Sequence, residues 1–330
     1  MIYKTLSSFA VSTAVVLGGL TAAAAEELSF AHFVPPAHTL TASVVEPLAD
    51  SLAADTNGEL TVRVYPGGEL GKGPLEQYVR VVQGVADIVW GLPGYTSSQF
   101  EKTMIAEMPG AIPAGEPGYA AIWRAYPMLK SEFPGTKPLA LWTSEPNVFI
   151  MKDHDVRTPA DVAGLKIRVA GSTSAAVVEA LGGTPVQMPA GDIYNALQTG
   201  LIDGVITGSS AIGDFKLDEV ANSYTLGAPL GTLTFYVVMN QARYDGLSDA
   251  EKAAIDKVAG EVLSKSAEDA WNARADQVIE GLRADSNVTV IDLDDAQAAA
   301  FGDLTLPVTE ASLKNIDGGD EVLAAMRGGE

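Results

Sequence analysis

The stretch Gly164-Leu165-Lys166-Ile167-Arg168-Val169-Ala170-Gly171-Ser172-Thr173 decides the fold. Leu165–Val169 reads as a strand with an apolar core, and Ser172 or Thr173 opens a helix running to Leu181. Gly182-Gly183 stops that helix, because glycine adopts the left-handed conformation that ends one. Thr184–Met188 is the next strand, Gly191–Gln198 a helix and Gly204–Thr207 a further strand. Upstream, Thr158 caps a short helix that has Pro159 at its first position and Asp161 in its first turn. Strand and helix alternating in this way imply an α/β fold with mixed or parallel sheets.

The alternation extends outward. Leu28–Val34, Leu60–Tyr65, Asp87–Leu92, Lys137–Trp142 and Val148–Lys152 read as strands. Thr39–Ala54, Pro74–Gln83 and Tyr119–Phe133 read as helices. Ser248-Asp249-Ala250-Glu251 is a capping box. Behind it a helical pattern continues to about Arg283, interrupted only by Gly260 and Gly281. One helix of that length would be roughly 50 Å long, enough to span two lobes. A strand (Val288–Leu293), a helix (Ala296–Asn315) and a loosely attached Gly-rich tail (Asp317–Glu330) are expected to follow. No repeat or low-complexity linker separates the halves, so several crossing strands are expected to join the lobes.

The N-terminus has the grammar of a secretory signal. Lys4 is the only charge before Glu26, Phe9–Leu20 is mostly apolar, and Ala22–Ala25 offers small residues for cleavage after Ala25. Residues 1–25 are therefore expected to leave as a signal peptide. The chain has 42 acidic and 21 basic residues, a net charge of −21. Such a surface repels nucleic acid and anionic lipid. There is no Cys, which excludes thiol catalysis and thiolate metal sites. Three His without His-Glu-x-x-His spacing argue against zinc. Gly67-Gly68-Glu69-Leu70-Gly71-Lys72-Gly73 lacks the spacing of a phosphate loop, and no Gly-x-Ser-x-Gly elbow occurs. Neither cofactor nor metal is expected.

Four segments, in order, carry a resemblance: Pro66-Gly67-Gly68-Glu69-Leu70-Gly71, the Lys166-Ile167-Arg168 strand, Ala196-Leu197-Gln198-Thr199-Gly200-Leu201-Ile202-Asp203-Gly204, and Val237-Val238-Met239-Asn240. Together they resemble the DctP-type solute-binding proteins of TRAP transporters, the tripartite ATP-independent periplasmic systems. The resemblance implies a two-lobed periplasmic-binding-protein fold with hinge strands, a long lobe-spanning C-terminal helix and a ligand cleft between the lobes. It places residues 26–147 and 235–270 in one lobe, and 148–234 and 271–330 in the other. It also implies a monomer in the periplasm of a Gram-negative bacterium, capturing a small organic acid for the membrane permease without catalysis.

Arg168 ends an apolar strand just before Gly171 and a helix start, the edge where open α/β sheets bind ligands. Its planar fork matches a carboxylate with two hydrogen bonds. The resemblance gives it that role. Thr207 stands where many members have Asn, and the position of a second Arg in sialic-acid-type members is apolar here, near Val148. Phe33, Trp90, Tyr95, Trp142 and Phe235 fall at expected strand ends, with His32, His38, Glu69 and Ser172 as polar candidates. One arginine with aromatic walls suits a compact apolar or aromatic monocarboxylate. A positively charged or zwitterionic small molecule held by the aromatics is an alternative ligand. A secreted lyase or hydrolase acting on a small acid is the rival class, and a protein presenting ligand to a sensory receptor is a third reading.

Overall fold

The structure, a computed structural model, describes residues 26–329; the expected signal peptide lies outside the described residues. Among the described residues, eleven strands form two sheets. The first contains β1 (Glu26–Ala31), β2 (Leu60–Tyr65), β3 (Ile88–Gly91), β4 (Thr136–Thr143) and β10 (Thr234–Asn240), in the order β2-β1-β3-β10-β4. The second contains β5 (Asn147–Met151), β6 (Lys166–Val169), β7 (Thr184–Gln187), β8 (Gly204–Gly208), β9 (Ser223–Leu226) and β11 (Thr289–Asp292), in the order β11-β9-β5-β8-β6-β7. Both sheets are mixed: β1 pairs parallel with β2 and β3, while β10 lies antiparallel between β3 and β4. In the second sheet β6 runs parallel to β7 and β8, and β5 antiparallel to β8 and β9.

The chain crosses between sheets after β4, through Ser144-Glu145-Pro146, and returns after β9 through residues 227–233. The two crossings are bonded to each other: Ser144 N–H donates to Leu233 C=O (2.7 Å) and Asn147 N–H to Gly231 C=O (2.9 Å). The expected crossing strands are thus short connections between strands of different sheets.

A third crossing is helical. The pattern from Ser248 does not form one rod: the capping box starts helix Asp249–Val258, and a second helix runs Glu261–Ala284. Gly260 separates them at φ +76°, ψ −135°, a backbone conformation that side chains disfavour. The second helix has 24 residues, about 36 Å. Leu263, Ala267 and Trp271 sit in the core under the first sheet, and Leu282 in a core of the second. The span between lobes therefore belongs to the second helix alone.

The tail is also unlike its expectation. Gly319–Met326 is a helix whose Val322, Leu323 and Met326 are buried against Ile122, Ala125 and Leu129, in the core cluster of the first sheet. Arg327 anchors its end on the Gly110 carbonyl (2.6 Å). Its apolar spacing, hidden between glycines and acids, carries the packing.

Candidate functional site

Arg168 is the third residue of β6, and its side chain is buried among cavity-lining groups. Nε and Nη2 donate to the Met188 carbonyl (3.0 and 2.8 Å), and Nη2 also to the Tyr95 hydroxyl (3.3 Å). Nη1 has no acceptor, and no carboxylate lies within ion-pair distance, among the described residues. Burial pulls the guanidinium below its ordinary pKa, with Tyr95 and Asp192 opposing. A buried cation without a carboxylate costs several kcal/mol, a cost that a bound anion would offset.

The cavity in front of Arg168 has about 480 Å³ of non-atom space, mouth included. Its walls are aromatic. Trp90 is sandwiched between Phe33 (centroids 4.9 Å, 24°) and Phe235 (5.7 Å, 23°). Tyr95 meets Phe33 edge-on at 6.0 Å. Strand alternation sets this up: Trp90 on β3 pairs with Val237 on β10, so Phe235 reaches the same face two residues away. Thr207, at the end of β8, adds a hydroxyl to the wall.

Thus Arg168, Trp90, Thr207, Phe235, Phe33 and Tyr95 are brought together. Four other candidates are not. Trp142 lies behind the wall as core, packed on Phe235 (5.3 Å) and Trp271 (5.4 Å), because its position on β4 pairs it with Phe235. His32 is buried outside the lining, next to Phe30 (6.3 Å), and burial, helped by His38, lowers its pKa to about 4. Glu69 is exposed in the turn after β2. Ser172 is exposed at a separate groove. Val148 also fails to reach the cavity. It pairs with Thr207 but lines a different groove, so its apolar character says nothing about the ligand.

Sequence reasoning missed Trp271, Asp214, Phe215, Ser144 and Ser210, all of which line the cavity. Trp271 carried a signal, being the only aromatic between Ser248 and Arg283. Asp214 and Phe215 come from the short helix Ser210–Asp214 and its C-cap, which has no marked periodicity. His38, named as a polar candidate, does line the cavity. Its Nδ1 accepts from Leu40 N–H (3.1 Å), so Nε2 carries the proton and faces Asp214 at 3.5 Å. Burial lowers its pKa to about 4 despite Asp214, so it is neutral at pH 7.

The lobes touch across the cleft. Thr39 donates N–H and hydroxyl to Asp214 (3.3 and 3.0 Å), and Ala190 N–H donates to the Tyr95 hydroxyl (3.0 Å). Two carboxylates are buried beside the crossings. Glu145 accepts from Ser210 N–H (2.6 Å) and Glu107 from Thr234 N–H (3.0 Å). Burial raises Glu145 to about 7 and Glu107 to about 8. Among the described residues, no cluster of three His, Asp or Glu is arranged to hold a metal, and no helix is long and apolar enough to cross a membrane.

The family model "Bacterial extracellular solute-binding protein, family 7" (DctP) matches residues 30–315. A TRAP solute-binding protein from Rhodoferax ferrireducens, solved with copurified benzoate, is similar at TM-score 0.86 and 27% identity, covering 92% of this chain and 96% of that one. A marine-metagenome TRAP solute-binding protein from an unidentified microbe, specific for aromatic acids and holding metahydroxyphenylacetate, matches at TM-score 0.85 and 27% identity, covering 92% and 98%. The ectoine-binding periplasmic protein TeaA of Halomonas elongata is 28% identical over 321 residues, 93% of this chain and 90% of that one. The matched span takes in both sheets and every wall of the cavity, and the chain belongs to the DctP family of extracellular solute-binding proteins, the periplasmic component that delivers a small organic solute to a TRAP permease.

Proposed function

We propose that the ligand is a small aromatic or apolar monocarboxylate, held by Arg168 and walled by Phe33, Trp90 and Phe235, with Thr207 and Tyr95 as polar partners. The observation that carries this reading is the buried guanidinium of Arg168, which has no carboxylate paired with it among the described residues and faces a cavity walled mainly by aromatic rings. A second buried carboxylate would lack a cation on Arg168's side, and a sugar acid would bring hydroxyls to stacked rings, at about 1–3 kcal/mol for each one left unpaired. The aromatic acids bound by the two similar solved proteins support the same class.

The ligand is released unchanged. Residues 26–147 with 235–270, and 148–234 with 271–330, act as the two closing bodies, with the terminal helix docked back on the first. Closure follows because the ligand makes contacts with both bodies only when they meet.

Mass spectrometry of the copurifying small molecule tests this reading, followed by calorimetry with benzoate, mandelate, hydroxyphenylacetates, uronates and C4-dicarboxylates. Tightest binding of an aryl monocarboxylate, recovered intact after incubation, is expected. Tightest binding of uronates or diacids overturns it, and conversion of the ligand would point to an enzyme. One observation favours a second reading: the Asp214 carboxylate also lines the cavity, as a zwitterion would require, and one relative is ectoine-binding. Ectoine belongs in the same panel.

A further inference from the structure

Tyr95 occupies an unusual hydrogen-bonding position. Its hydroxyl oxygen receives Ala190 N–H at 3.0 Å and Arg168 Nη2–H at 3.3 Å. An amide N–H and a guanidinium can only donate. Both hydroxyl lone pairs are therefore engaged as acceptors, and the phenolic proton remains to be given away. It has no acceptor among the described residues. Tyr95 lines the same cavity as Arg168, whose Nη1 also lacks an acceptor. Two unspent donors thus converge at one end of a cavity walled mainly by aromatic rings.

The two donors come from different lobes. Tyr95 sits in the turn Pro93–Gln99 after β3 of the first sheet, and Arg168 on β6 of the second. We propose that Tyr95 donates its phenolic hydrogen bond to the ligand carboxylate already held by Arg168, so that one carboxylate bridges the two lobes and Tyr95 reads the acceptor character of the ligand's head group. This rests on the monocarboxylate reading. It extends that reading from an anchor on one lobe to a two-lobe clamp.

The physical consequence is selectivity. A carboxylate has only acceptor oxygens and accepts from both donors at once. A primary amide has a single acceptor oxygen and no charge, so it can meet both donors only through that one atom and leaves the buried guanidinium unneutralised. The clamp also links recognition to closure. The Tyr95 contact exists only when the lobes meet, and a ligand biases closure only through contacts of that kind.

Tyr95→Phe keeps the ring and removes the proton. Benzoate affinity should fall about 10- to 100-fold, the usual range for a hydrogen bond to a charged group. A hydroxyl that merely latches the lobes through Ala190 N–H would also weaken binding, so affinity alone does not decide. The deciding measurement is isotope-edited infrared spectroscopy of carboxyl-¹³C benzoate bound to wild type and to Tyr95→Phe. Loss of one donor should shift the carboxylate stretch. An unmoved band, even with weakened binding, overturns the proposal. Should the Phe variant fold poorly or bind too weakly, 3-fluorotyrosine at position 95, measured at about pH 6 where its phenol stays protonated, provides a stronger donor of nearly the same shape. Its band must then shift in the opposite sense, and coincidence with wild type overturns the proposal. Failure of wild-type protein to bind any aryl monocarboxylate would sink the ligand assignment itself, and this inference with it. Binding with an unmoved band sinks the inference alone.

Discussion

Gly94 and Gly171 meet backbone to backbone across the cleft, and only one of the two has no room for a side chain. A Cβ added to Gly171 would lie 2.7 Å from both Cα and the carbonyl oxygen of Gly94, whereas one added to Gly94 would find its nearest neighbour, Gly171 Cα, at 3.6 Å. Gly171 also precedes the helix Ser172–Ala180, directly after the Arg168 strand. Gly171→Ala should therefore hold the lobes apart and weaken ligand binding roughly tenfold or more, by an overpacking cost of about 1–3 kcal/mol in the closed form alone. Gly94→Ala serves as the control and should bind nearly as wild type. Calorimetry with small-angle scattering of the liganded proteins checks both, and equal affinities for the two variants would rule out a closure seam at Gly171.

Arg168 should trade stability for binding. Arg168→Lys keeps the charge but loses the planar fork, and an affinity loss of about 100-fold is expected in calorimetry. Arg168→Met removes an unpaired buried charge. It should abolish binding while raising the ligand-free melting temperature, by the equivalent of about 1–3 kcal/mol. A melting temperature that falls would mean that the bonds to Met188 outweigh the buried charge.

Glu107 and Glu145 make stability pH-dependent near neutrality. Burial raises both above the ordinary carboxyl value, to about 8 and about 7. A folded-state pKa above the unfolded one means the folded protein holds the proton more tightly. The stabilisation is complete below about pH 4.5 and is lost as pH rises through 7 to 8. Wild type should accordingly melt at lower temperature at pH 9 than at pH 6. Glu107→Gln, which keeps the acceptor for Thr234 N–H, should flatten that slope. Parallel melting curves of the two proteins across this range would exclude Glu107 as the titrating group.

Gly260→Ala tests the break between the two late helices. A Cβ there meets nothing within 4 Å, so the cost is backbone strain at φ +76° and not a clash. A stability loss of about 1–3 kcal/mol in denaturant unfolding is expected, with benzoate affinity unchanged. A large change in affinity would show that the break is coupled to the cleft.

The sequence by itself determined the α/β alternation, the order of most strands along the chain, and the placing of Arg168 on a strand just before a helix start. These are local properties. The two-residue period of Leu60–Tyr65, the capping boxes at Thr158 and Ser248 and the glycine stop at Gly182 all act within a few residues, and each appears in the fold. What needed tertiary structure was the question of which side chains share a space. Trp142 and Trp90 read alike as strand aromatics, yet their strands lie on opposite sides of β10, and one became core while the other became a cavity wall. Asp214, Phe215 and Trp271 reach the cavity from elements far apart in the chain, with no local pattern to join them. The break at Gly260 and the docking of the terminal helix were likewise decided by packing, because a lone glycine in a helical pattern is compatible with either outcome. The absence of an acid paired with Arg168, which leaves a buried strand-end guanidinium without a counter-charge, follows from the positions of all the acidic residues at once. It is a fact of three-dimensional distance that no spacing along the chain encodes.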